Sequence, residues 1–341
     1  MSADEPYSQP PIDVGLGQGE GRPPAAQSSI DAAMAELSGR GPLHTAEAGQ
    51  RPRRQPPAPV TTAIALVCIG VYLGLLIHGN GASTETLLKF GMRMPGGIWD
   101  GAYWALITPA FIHYAGLHLY FNLSALWVLG RFMEPAIGSW RFLAFYLAAA
   151  PLSASFQLAA ADETGVGASG AICAIFGFMW IARWRYRQFQ LVLSPQTIRF
   201  VLAWLVFCVV LTYFQILNIG NAAHFSGLAF GVLVGAIAIY RDRRKPLGAA
   251  LALFVAAAVI PLFWAPWSPY WLGYKGAIAH RAQRFDEAIG WYTRAIEIDP
   301  SDATSMWNRG LARAELGQTE AALADMTQAR EIEPRIGRHE D

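Results

Sequence analysis

The sequence predicts an all-α membrane protein: six transmembrane helices in a bundle, a seventh apolar segment, and a small α-helical repeat domain behind them. Three observations carry this. Of the 341 residues, 53% are hydrophobic and only 15% charged, with a mean hydropathy of +0.27, too apolar for one ordinary soluble domain. The apolar residues gather in runs of about 18 to 20, the length that carries a helix across a hydrocarbon layer of about 30 Å. Beyond Trp271 the chain turns charged and Ala-rich and repeats itself at 34 residues. A net charge of +1 gives no reason to expect a nucleic-acid partner.

Residues 1–55, rich in Pro, Gly, Ala and Gln, contain no signal-peptide core and read as a disordered cytoplasmic tail, with room for a short helix from Ser29 to Leu37. Residues 56–245 hold six spans: Val60–Ile77, Gly116–Leu129, Phe142–Ala161, Ser169–Ala182, Phe200–Leu217 and Ala222–Tyr240. Residues 246–268 hold a seventh, Leu247–Trp264, for which Pro261 and the nearby tryptophans leave an interfacial segment as the alternative. Arginines before span one and between spans two and three, four and five, and six and seven put those connections and the N-terminus on the cytoplasmic side. With seven spans the C-terminus lies outside. Cys68, Cys173 and Cys208 all fall inside apolar runs and read as small packing residues, with no disulfide or metal role.

A polar side chain at membrane depth is costly, so each one is a candidate for function. No Asp or Glu falls inside the seven spans, which argues against an aspartyl intramembrane protease, and there is no His-Glu-x-x-His zinc motif. Ser169, His224, His118 and Asn122 remain. Ser169 is 14 residues before Arg183, His224 is 17 before Arg241, and His118 is 13 before Arg131. At a helical rise of about 1.5 Å per residue these offsets correspond to roughly 21, 25 and 20 Å. Asn122 lies one turn deeper than His118. Four groups from three helices therefore share one level near the outer surface. On span six, His224, Gly227, Gly231 and Gly235 form one stripe, and Ser169, Cys173 and Gly177 form another on span four. Small residues so spaced let membrane helices approach closely.

Gly167-Ala168-Ser169-Gly170-Ala171 with Gly177, Ala223-His224 with Gly227 and Gly231, and the stretch His113 to Asn122 together resemble the motifs of rhomboid intramembrane serine proteases. Gly130, Glu134 and Gly138-Ser139 match the connection after the second helix. The family's first-loop Trp-Arg pair reads Trp104-Ala105 here. The resemblance covers about residues 60–240 and implies a rhomboid-like six-helix bundle with an outward-opening, water-filled cavity, a half-inserted first loop and no cofactor. It also implies Ser169 as nucleophile, His224 as its base, and His118 and Asn122 facing the oxyanion. With no carboxylate at that depth the catalytic unit is a dyad. His113, near the loop–helix junction, reads as structural.

Residues 269–336 resemble two tetratricopeptide repeats: Phe285–Ala288 aligns with Thr319–Ala322, Gly276 with Gly310, and Pro300 with Pro334. The implied partners are transmembrane protein substrates, membrane lipids and a protein docked on the repeats, with no metal. The implied location is a bacterial inner membrane, with the repeats extracytoplasmic. The competing expectation is a catalytically silent rhomboid-like protein that binds transmembrane clients and uses the repeats to recruit partners.

Overall fold

The computed structural model describes residues 56–78 and 83–337; the tail at 1–55, with its expected helix at 29–37, lies outside them. The described residues form thirteen α-helices joined by loops and short 3-10 turns, with no strand among them. Helix α1 (Pro59–Ile77) begins on a proline, whose missing N–H is no loss at a first helical position. The first loop carries α2 (Thr84–Lys89), α3 (Pro95–Trp99) and two 3-10 turns. There the guanidinium of Arg93 lies over the Trp104 ring at 4.7 Å, so this tryptophan meets a cation although Ala105 follows it.

Helix α4 (Gly116–Ile137) runs eight residues past the expected end at Leu129, taking Arg131 and Glu134 into the helix. Those charges suggested a connection, but Glu134 is fully buried because it is fully bonded. Its carboxylate accepts from the backbone N–H groups of Val60 and Thr61 at 2.9 and 2.8 Å, and from the Thr61 and Ser139 hydroxyls at 2.8 and 2.7 Å. It thereby caps the open amides of α1, where the helix dipole favours an anion. Gly138, at φ +90°, is the only residue between α4 and α5 (Ser139–Ala161), a backbone angle that side chains disfavour.

Helix α6 (Ser169–Ala182) is short and central, with ten of its fourteen residues buried. Helix α7 (Pro195–Tyr213) buries only Ile198, Leu205 and Cys208. It starts five residues before the apolar run at Phe200, because Ser194 caps it by accepting from the Thr197 N–H at 3.1 Å and Pro195 follows at the first position. It ends short of Leu217, where Gln215 takes a φ of +55°. Helix α8 (Asn221–Ile239) packs along α6, and α9 (Arg244–Val259) continues into a 3-10 turn at Ile260–Leu262. Five stretches are long and apolar enough to cross a membrane: Pro59–Ile77, Ser139–Ala161, Pro195–Tyr213, Asn221–Ile239 and Arg241–Leu262. The region of the seventh apolar segment is among them.

Helices α10 (Pro269–Arg281), α11 (Phe285–Ile298), α12 (Ala303–Glu315) and α13 (Thr319–Ile332) form two helical hairpins. Gly276 faces the Tyr292 ring and Gly310, 34 residues later, faces Met326 and Ala322, so the sequence repeat is also a packing repeat. Asp325 is buried between Arg309 and Arg313, each within 2.8 Å of its carboxylate. The first hairpin is fastened to the membrane part. Ser268 Oγ donates to Asp162 at 2.5 Å while accepting the Trp271 N–H that starts α10. Tyr274 donates to Asp100 at 2.6 Å, and the Trp99 and Trp267 indoles donate to Pro261 and Ala159 carbonyls.

Candidate active site

Helices α6 and α8 touch backbone to backbone. A Cβ on Gly227 would strike the Gly170 carbonyl, and one on Gly231 would strike the Ala174 carbonyl. Closeness of this kind is open only to glycine and draws the N-terminal ends of both helices together. Ser169 is the first residue of α6 and His224 lies in the first turn of α8. The Ser169 Oγ and His224 Nε2 atoms are 2.7 Å apart.

His224 is 9% exposed, and its Nδ1 is buried with no hydrogen-bond partner among the described residues. No carboxylate or carbonyl orients the ring from behind. Packing holds it instead, and an unpaired buried nitrogen of this kind costs about 1–3 kcal/mol. Uncompensated polar groups are tolerated where function requires them.

The segment before Ser169 is held on two sides. Gly167 has φ +107°, its N–H donates to the Pro109 carbonyl at 2.8 Å, and a Cβ there would meet the His118 ring at 2.6 Å. The His118 ring therefore packs directly on the chain leading to Ser169. Next along, the Ala168 N–H donates to His113 Nε2 at 3.3 Å, while His113 Nδ1 faces the Phe111 carbonyl at 3.4 Å. A carbonyl only accepts, so the proton sits on Nδ1 and Nε2 is free to receive Ala168. Burial, with the neighbouring His118, pushes His113 down to about 4, which keeps the ring neutral as this pattern demands.

Asn122 is buried one turn below His118. Its Nδ2 donates to the His118 carbonyl at 2.9 Å, and its Oδ1 has no partner. The first-turn amides of α6 have no acceptor inside their own helix. The His118 ring lies against Gly167, two residues before Ser169, and Asn122 sits one turn further along α4, with its amide donating to the His118 carbonyl. Among the described residues no group of three or more His, Cys, Asp or Glu could hold a metal ion.

Sequence reasoning missed Gln157. This side chain of α5 accepts the Ala223 N–H at 3.3 Å, next to His224, and reaches Glu163 at 3.4 Å. Glu163 in turn receives Asn218 at 3.4 Å. The rule that singled out Ser169 finds Gln157 too, since it is a polar residue inside an apolar span.

The Rhomboid domain family model matches residues 100–241, and a TPR repeat model matches residues 276–317. The chain is 33% identical over 210 residues to the rhomboid protease GluP of Bacillus subtilis, an alignment covering 60% of this chain and 40% of that protein. It is 31% identical over 184 residues to the rhomboid proteases GlpG of Yersinia pseudotuberculosis and Yersinia pestis, covering 53% of this chain and 63% of each. The chain thus spans less than two thirds of the length of these relatives. The match at 100–241 contains His113, His118, Asn122, Ser169 and His224, so the membrane part of the chain is similar to a rhomboid domain and the part behind it to a TPR repeat.

Proposed function

We propose that this protein is an intramembrane serine endopeptidase that cuts transmembrane protein substrates near the extracytoplasmic face. The observation that carries the reading is the 2.7 Å contact between Ser169 Oγ and His224 Nε2, in a domain shared with rhomboid proteases. A serine hydroxyl is a weak nucleophile until a base takes its proton. His224 Nε2 accepts that proton as Oγ bonds to the scissile carbonyl carbon. The carbonyl π electrons move to oxygen, and Asn122, His118 and the Ser169 N–H donate to the resulting oxyanion. Collapse of this intermediate expels the amine, which takes its proton from His224. Water, activated by the same nitrogen, then hydrolyses the acyl-enzyme. The unit is a dyad, because His224 Nδ1 faces no carboxylate.

The arginines flanking the spans support a cytoplasmic N-terminus and repeats outside, in a bacterial inner membrane. A reporter fused after Glu333 is expected to read extracytoplasmic; a cytoplasmic signal would place α9 along the surface instead. The activity is tested with purified protein and a model transmembrane substrate. Wild type is expected to produce a discrete cut that Ser169→Ala and His224→Ala abolish. Equal product from Ser169→Ala sinks the protease reading and leaves the client-binding alternative.

A further inference from the structure

We propose that the exposed face of α13 binds a second copy of this chain, α13 packing antiparallel on its equivalent about a two-fold axis. The internal repeat shows what this surface is built to do. In the first hairpin, Ile289, Thr293 and Ile296 of α11 are half-buried because they receive α12. Arg309 donates to the Thr293 hydroxyl at 3.1 Å, Ile289 packs in the cluster holding Ala312, and Ile296 packs beside Ala303 and Met306.

The residues 34 positions on are Leu323, Thr327 and Arg330 of α13, and all three are exposed, Leu323 at 60%. Thr327 turns its hydroxyl back onto the Leu323 carbonyl at 2.8 Å. Its methyl is left as the group it offers. Leu311 and Leu316 of the second hairpin are also exposed, each at 38%.

Two features name the occupant. The opposite end of the stack is already covered, since α10 lies against Trp99 and bonds Asp100 and Asp162. A face that meets its own equivalent on a second copy closes as an isologous pair. Two chains in one membrane also carry their repeats on the same side, which a two-fold axis along the membrane normal preserves.

The second feature is charge. Glu320, Leu323, Thr327 and Arg330 follow three- and four-residue steps and so share one helix face. An axis passing level with Asp325 brings Leu323 against Thr327 of the other copy and Glu320 against Arg330 of the other copy. Neither Glu320 nor Arg330 has an ion-pair partner among the described residues. Arg330 lies over the Trp307 ring at 4.9 Å, which fixes its stem and leaves the guanidinium edge open. A parallel pairing would set like charges together.

The test uses the full chain in native-like membranes and in detergent, and needs no proteolytic activity. The double variant Leu323→Cys, Thr327→Cys is expected to form a disulfide-linked dimer on mild copper oxidation. Wild type, with Cys68, Cys173 and Cys208 inside the spans, and Gly290→Cys at an exposed position of α11, are expected to stay monomeric on denaturing gels. Glu320→Arg and Arg330→Glu each break two ion pairs per dimer and are expected to weaken association about tenfold. The double variant Glu320→Arg, Arg330→Glu is expected to restore it. These side chains are exposed, so thermal unfolding of each variant serves as the folding control. A monomer at every concentration, with or without another polypeptide held on the repeats, overturns the proposal. So does cross-linking no greater than in Gly290→Cys, or a double charge variant that fails to recover.

Discussion

Two glycines facing carbonyl oxygens leave α6 and α8 no room for a methyl group, and this closeness is what brings Ser169 to His224. Gly231→Ala is expected to destabilise the protein by about 1–3 kcal/mol, the usual cost of overpacking, seen as a lower unfolding temperature in detergent. Gly248→Ala is the control. It has open space around the added Cβ and is expected to be neutral or to stabilise by up to about 1 kcal/mol through helix propensity. Asn122→Ala is expected to lower kcat about 10²- to 10³-fold through loss of one oxyanion donor, with KM little changed and folding intact. A KM rise at constant kcat would make Asn122 a substrate-binding group instead. Ser169, His224, His118 and Asn122 stand out as candidates in the sequence because a polar group at membrane depth is rare and helix rise converts residue count into depth, and the structure brings Ser169 and His224 into contact. Gln157 was legible as a polar residue inside a span, but what it and His113 hold was not, since each accepts a backbone N–H that only folding brings within reach.

Between elements, the most consequential joint is the one at Asp162. This carboxyl ends α5, receives Ser268 at the start of α10, and lies seven residues before Ser169 in the chain. Burial holds its pKa above the usual carboxylate range, with the Ser268 hydroxyl and the Tyr270 N–H opposing the shift in part. A raised carboxyl pKa means that the docked state keeps the proton longer than the undocked state does. Docking of α10 is therefore favoured below Asp162's raised pKa and weakens as pH rises through it. Amide exchange in α10, followed across the acidic range, is expected to quicken as the pH rises, after correction for intrinsic exchange. Asp162→Asn is expected to flatten that dependence, and an unchanged profile in this variant would assign the effect to another group. Ser268→Ala removes both the joint and the cap and is expected to speed exchange at every pH. Helix identities along this path were legible from apolar runs and repeat spacing. Their ends were not: α4 runs on through Arg131 and Glu134 because a bonded carboxylate caps a helix 73 residues away, a pairing no local pattern reveals.

At the scale of the whole molecule, the 34-residue period made the repeats visible, while their attachment to the membrane part was invisible. The contacts that fasten them join residues separated by 106 and 174 positions. Truncation after Ser268 uncovers Trp99 and Asp100 and leaves α10's partners exposed. It is expected to lower the unfolding temperature of the membrane part and to reduce cleavage of a transmembrane substrate. Unchanged stability and activity would make the repeats a passenger. The same separations bear on biosynthesis. Translation delivers Asp100 long before Tyr274, so the first loop must wait, incomplete, while the six helices α4 to α9 emerge. A newly made chain thus carries the serine and the histidine well before the first loop can be latched to Tyr274. Under the proposed function, competence to cut arrives last, when the final helices have been delivered to the residues that hold them.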